Sequence, residues 1–236
     1  MNVSLQGEAT HNELDELEKL LTLDDKRILE LGCGKAEITR AIATNGSNRK
    51  ITATEVDEVQ HADNILIDDL PNVDFLLAGA ENIPLDDALF DIVFMFKSLH
   101  HVPGELMNTA LSEIKRILKP GGFAYISEPV FKGDFNEVLR IFHDEEEVRN
   151  MAYTAINKSI ELGELSLVNE LFFNIPTSFE NFKDFERRVI NVTHTNHELP
   201  EQLITKVKNQ FMLNMSTNGA NFIIPVRVNL LRKLEN

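Results

Sequence analysis

A chain of 236 residues with 38 acidic against 23 basic side chains carries a formal net charge of −15, which opposes phosphate and makes nucleic acid an unfavoured partner. Its hydrophobic share of 43% and charged share of 26% are those of a soluble globular protein able to bury a full core. No apolar run reaches the length needed to span a bilayer and no basic-then-apolar leader is read, so no membrane partner and a cytoplasmic location are expected.

The single cysteine, Cys33, has no internal disulfide partner, and no cysteine–histidine set has zinc-site spacing, so no metal is expected. Residues 1–9 are polar. Thr10-His11-Asn12-Glu13 then reads as a capping box, followed by Leu14, Leu17, Leu20 and Leu21 at helical spacing. From Arg27 onward strands and helices alternate, with strand-like runs at 27–31, 50–55, 73–78, 91–96 and 123–127. Ala110, Leu111, Ile114, Ile117 and Leu118 form the clearest helical stripe, and Lys119-Pro-Gly-Gly122 turns its end into the next strand. Such alternation implies a parallel sheet with helices on both faces. Beyond Glu128, residues 134 to about 171 read as mostly helical, a late helix is expected at 198–214 and a last strand at 220–231.

The first chemical signal is Arg27-Ile-Leu-Glu-Leu-Gly-Cys-Gly-Lys-Ala36. A strand ending in Glu30 runs into a loop opened by Gly32 and Gly34, with Ala36 where a third small residue is wanted. Glycines let the backbone approach a ligand closely. A dinucleotide fingerprint places a third glycine where this chain has Glu37, and the extra carboxylates suit a cation better than a pyrophosphate. The second signal is Glu55, at the end of the next strand, where a carboxylate accepts both hydroxyls of a ribose. Two further segments are Ala78-Gly-Ala-Glu-Asn-Ile-Pro84 and Phe94-Met-Phe-Lys-Ser-Leu-His-His-Val102.

These segments, with the Leu118-Lys-Pro-Gly-Gly122 turn, resemble in order and spacing the motifs of the class I S-adenosylmethionine (SAM) methyltransferases, of the type 11-like, small-molecule kind. The resemblance covers roughly residues 27–129. It implies a Rossmann-like, doubly wound, mostly parallel seven-stranded sheet with its last strand antiparallel and a helical lid after the fifth strand. It implies four regions: an N-terminal helix covering the pocket (1–26), a SAM-binding core (27–129), a helical lid or substrate region (130–200), and the last helix and strand (201–236). The cofactor-binding positions it implies are Glu30, Gly32 and Gly34 for the methionine part, Glu55 for the ribose, Ala80 and Glu81 for the adenine, and Cys33, Val56 and Phe96 besides. Where the family has an adenine-contacting Asp, this chain has Gly79, so Glu81, Asn82 or a main-chain carbonyl has to take over. Cys33 is expected to be a small filler.

The catalytic candidates are His101, Lys97 and His100. Either histidine is suited to general-base work near neutral pH, or the pair packs and positions the cofactor. Lys97 is expected to meet an anionic group of the substrate or to pair with Glu128. Substrate identity is expected to reside in 129–227, where Phe131, Phe135, Phe142, Phe172, Phe173, Phe179 and Phe182 line an apolar cavity or, more often for such rings, form helix cores, and where the polar candidates are Arg187, Arg188, His194, His197 and Arg227. The reading is a methyltransferase consuming S-adenosyl-L-methionine, releasing S-adenosyl-L-homocysteine (SAH) and acting on a small molecule as a monomer or homodimer. Its alternatives are a protein methyltransferase, a SAM- or SAH-binding regulatory or scaffold protein without turnover and, last, a dehydrogenase.

Overall fold

The computed structural model describes residue 10 and residues 12–191 and 199–235. The expected His194 and His197, and residue 198 at the start of the expected late helix, lie outside them. The order of elements is α1 (Glu13–Leu20), β1 (Arg27–Leu31), α2 (Glu37–Thr44), β2 (Lys50–Glu55), α3 (Glu58–Asn64), β3 (Val73–Leu77) and β4 (Phe90–Phe96). Then follow α4 (Met107–Ile117), β5 (Leu118–Pro129), α5 (Asp134–Leu139), α6 (Glu146–Glu161), β6 (Ser166–Phe179), α7 (Phe182–Phe185), α8 (Glu201–Met212), β7 (Met215–Ser216) and β8 (Gly219–Arg232).

The strands form one sheet in the order β3-β2-β1-β4-β5-β8-β6, with the two-residue β7 pairing β8 antiparallel. The first five are parallel. At the other end Lys233 N donates to Gly122 O and Val130 N to Pro225 O, so β8 runs against β5 as its partner numbers fall. The expected doubly wound sheet, with an antiparallel last strand, is therefore the observed one.

Two expectations need correction. Residues 166–179 form β6, inside a stretch read as helical to about 171. The run Ser166-Leu-Val-Asn-Glu-Leu-Phe-Phe carries aromatic and β-branched side chains, and sheet pairing overrides a helical reading of its leucines. The capping box does not form as read either: α1 begins at Glu13, Thr10 makes a parallel bridge with Asn174, and the Glu13 side chain pairs with Lys97.

The chain divides into two compact units. The larger holds Glu13–Glu128, Val148–Leu171 and 227–235. In it Leu29, Leu31, Val93, Met95, Ala124 and Ile126 pack with the expected α4 stripe of Ala110, Leu111, Ile114 and Ile117. Because side chains alternate across a strand, Glu30, Phe94, Phe96, Tyr125 and Ser127 face the other way. The smaller unit holds Pro129–Glu147 and Phe172–Val226. Its core is aromatic: Phe179, Phe182, Phe185, Phe211 and Phe222 are all buried against one another; Phe182 is in a helix core as expected, whereas Phe179 closes β6.

The segment before β4 has no regular structure of its own and is fastened by α4. Arg116 Nη2 donates to Ile83 O and Nη1 to Leu85 O, each at 2.8 Å, while Glu113 Oε2 accepts Ile83 N at 3.0 Å. Arg116→Met strands two carbonyls and the Glu113 carboxylate, so it is expected to cost about 1–3 kcal/mol. A urea midpoint lowered at unchanged slope is the checking measurement.

Candidate functional site

Parallel α/β sheets bind ligands beyond the carboxyl ends of their strands, where the order reverses. Here that point lies between β1 and β4, and the glycine loop follows β1. Gly32 sits at φ +72°, and a Cβ there would meet the Ser98 Cβ at 2.8 Å, so both conformation and space demand glycine. Gly34 (φ +51°) and Ala36 (φ +56°) are also left-handed, and Ala36 caps α2. The amides of Gly32 and Cys33 both donate to Thr54 O, at 3.0 and 2.9 Å.

Glu55 closes this loop onto β2. Its Oε2 accepts Gly34 N at 2.7 Å, and its Oε1 accepts Val56 N and Asp57 N at 2.8 and 3.0 Å. Asn64 of α3 donates to Gly34 O at 2.8 Å. Cys33 is buried, and burial, then Glu30 and Glu55, push its thiol well above the usual range. It stays protonated and fills space. Val56, by contrast, is 64% exposed, an apolar side chain presented to solvent beside the loop.

Glu30 is only 2% exposed, and its Oε2 accepts Thr39 Oγ1 at 2.7 Å. Burial pushes its carboxyl up to about 7, the Thr39 bond opposes this and the nearby Glu13 carboxylate adds to it. Ala80 is buried and Glu81 half-buried. The Glu81 carboxylate lies against Gly79: a Cβ built there would come within 2.4 Å of Glu81 Oε1. A carboxylate thus occupies the space into which a side chain at position 79 would project.

The catalytic candidates separate. His100 is buried, and its Nδ1 lies 2.5 Å from Glu128 Oε2, while Glu128 Oε1 accepts Leu99 N at 2.9 Å. Glu128 follows Ile126 by two residues and so faces away from Tyr125 and Ser127. His101 is exposed, its ring 4.1 Å from that of His100. Lys97 has a left-handed backbone (φ 55°), donates its amide to Ser127 O at 2.7 Å and pairs with Glu13. The expected Lys97–Glu128 pair is therefore not formed, because Glu128 is taken by His100 and the Leu99 amide.

Phe96 is 8% exposed and packs with Phe94 and Tyr125 at centroid distances of 5.2 and 5.7 Å. Burial first, then Glu13 and Glu16, push the Tyr125 phenol well above its usual value, so it keeps its proton. The sequence reading missed Glu13, which it took for a helix cap. Its burial and its partner 84 residues away are long-range facts that no local pattern carries.

Of the remaining polar candidates, Arg187 and Arg188 both bind Asp184 on the surface of the smaller unit. Arg227 stacks on Tyr153 at 3.8 Å and donates to Asn229. A cavity of about 450 Å³ lined by Ala43, Arg49, Lys50 and Asn72 lies at the amino end of β2, the wrong end for this fold's ligands. Among the described residues no helix is long and apolar enough to cross a membrane.

Glu30 gives a pH-dependent stability. Its folded value of about 7 lies above the ordinary 4.5, so the native state holds the extra proton between these values and stability falls as pH rises through that window. Glu30→Gln removes this loss. Relative to wild type the variant is expected to gain up to roughly 3 kcal/mol between about pH 4 and pH 8, read from urea midpoints at each pH.

Comparison with known proteins agrees with this geometry. A family model described as a methyltransferase domain matches residues 29–126. The chain is similar to the 27-O-demethylrifamycin SV methyltransferase of Amycolatopsis mediterranei, 34% identical over 122 residues, 49% of this chain and 43% of that protein. It is also similar to the ubiquinone/menaquinone biosynthesis C-methyltransferase of Campylobacter jejuni, 27% identical over 180 residues, 74% of this chain and 72% of that one. The chain spans less than half the length of the first curated relatives it matches. Among solved structures, a Bacillus halodurans protein assigned as a methyltransferase superposes with a TM-score of 0.63 at 20% identity, covering 94% of this chain and 99% of that one. It is residues 29–126, all within the larger unit, that carry the likeness to the methyltransferase-domain family.

Proposed function

We propose that the chain is a SAM-dependent methyltransferase acting on a small-molecule acceptor. The observation that carries this is the pairing of a close-approach glycine loop with two buried carboxylates, Glu30 and Glu55, at the carboxyl ends of adjacent strands. That donor set fits a ligand with a cationic sulfonium and an ammonium group and disfavours a pyrophosphate. When bound, SAM supplies an already activated methyl group, so the protein's task is chiefly proximity and orientation.

In this reading Glu30 and the loop of Gly32, Cys33 and Gly34 hold the methionine part. Glu55 takes the ribose hydroxyls on lone pairs left by its three amide bonds. Val56 and Ala80 border the adenine, Phe96 lies on the methyl side, and the Glu81 carboxylate stands in for the Asp that the family has at Gly79. Glu128 fixes the ring of His100, which suits that histidine to positioning, while His101 and Lys97 remain at the carboxyl end of β4. The relatives' small-molecule acceptors and the net charge of −15 support a small uncharged or cationic acceptor over nucleic acid.

Calorimetric titration of SAH into wild type and Glu55→Ala tests the assignment. Micromolar binding to wild type that weakens about tenfold or more in the variant, roughly 1.4 kcal/mol, is the expected result. No heat with wild type would return the glycine loop to an open question.

A further inference from the structure

Buried polar atoms without partners are rare in native proteins, and each demands an explanation. Three of them fall on one face of the larger unit. Glu13 Oε1, Tyr125 OH and Ser127 Oγ have no hydrogen-bond partner among the described residues, and their residues are 6%, 0% and 0% exposed. Tyr125 and Ser127 are alternate residues of β5 and so project to the same side. In register they stand beside Phe94 and Phe96 of β4, and Phe94 stands beside Glu30 of β1. Glu13 reaches this face through its bond to Lys97, whose amide is tied to Ser127 O, and its charge is felt by both Tyr125 and Glu30.

The chemistry of the three atoms is selective. A carboxylate oxygen only accepts, so Glu13 Oε1 needs an O–H or N–H from outside the fold, whereas the two hydroxyls can donate as well as accept. Glu13 is already neutralised by Lys97, so a charged group would arrive without a counter-charge and carry its full desolvation cost. An amine is an ammonium near neutral pH and meets that cost; a neutral hydroxyl both donates and accepts without it. The face is aromatic: the rings of Phe94, Phe96 and Tyr125 pack 5.2–6.0 Å apart, and Lys97 beside them is a third exposed.

From this juxtaposition we propose that Glu13, Tyr125 and Ser127 form the acceptor subsite and that it takes a neutral compound bearing a hydroxyl on an aromatic ring. This rests on the methyltransferase reading. Glu13 and the two hydroxyls act as specificity-determining residues: they orient the acceptor oxygen beside the carboxyl end of β4.

The test uses the full chain, Tyr125→Phe, Ser127→Ala and the double variant. Hydroxyls that wait for a ligand are not needed for folding. In ligand-free protein both single variants are expected to melt at or above the wild-type temperature, and a drop of several degrees in either would show a partner within the fold and overturn the proposal. Calorimetry then compares phenol with anisole, which lacks the donated proton, on SAH-saturated protein. Wild type is expected to prefer phenol about tenfold, Glu13→Ala to lose most of that preference, and the double variant to bind phenol about tenfold more weakly. Equal affinity of wild type for the two, a preference unchanged in Glu13→Ala, or phenol binding unchanged in the double variant would also overturn it. Failure of SAH to bind wild type would sink the methyltransferase reading instead, without altering the melting comparison.

Discussion

Burying carboxylates at the carboxyl ends of β1 and β2 is the constraint on which the rest of the site depends. A charge withdrawn from water has to be hydrogen-bonded, paired or protonated. Glu55 takes the first course, with three backbone amides closing on its two oxygens. In doing so it ties the end of β2 to Gly34 and holds the glycine loop in its left-handed shape. Glu30 has a single hydroxyl partner among the described residues and takes the third course, its carboxyl pushed up to about 7 by burial. One carboxylate is thus a structural tie and the other a group whose charge an incoming cation would stabilise.

The surrounding fold serves this edge from both faces. On one, the α4 stripe anchors β4 and β5, while the Arg116–Glu113 pair pins the segment that carries Ala80 and Glu81. On the other, an aromatic row runs beside Glu30, with Glu13 and Lys97 at its end. His100 and Glu128 belong to the first face and the orphan hydroxyls to the second. That division separates groups that are already satisfied from groups that still lack a partner.

Much of this was legible in the sequence because it is written locally. Apolar runs ended by glycine or a carboxylate gave β1 and β2 at their observed bounds, and a 3.6-residue stripe gave α4. The glycine loop was readable for the same reason: φ above zero and close approach select residue type at the position itself. What escaped depends on partners far along the chain. Glu13 was read as a cap because Thr10 precedes it by three residues, yet its partner is Lys97. Lys97 was offered Glu128, at the end of the adjoining strand, but the Leu99 amide and His100 hold that carboxylate. The start of β6 was lost to a helical reading because leucines serve either period and only pairing decides. Gly79 was seen as a gap, and the Glu81 carboxylate that lies against it became visible only in three dimensions.

The most direct measurement of the central claim is the proton balance of SAM binding. SAM is titrated calorimetrically near pH 6.5 in two buffers of different ionisation enthalpy, with wild type and Glu30→Gln. If the buried Glu30 carboxyl meets a cation, wild type releases a fraction of a proton on binding, the apparent enthalpy differs between buffers, and the difference shrinks in the variant. Binding with the same enthalpy in both buffers, or a difference unchanged in Glu30→Gln, would contradict the account.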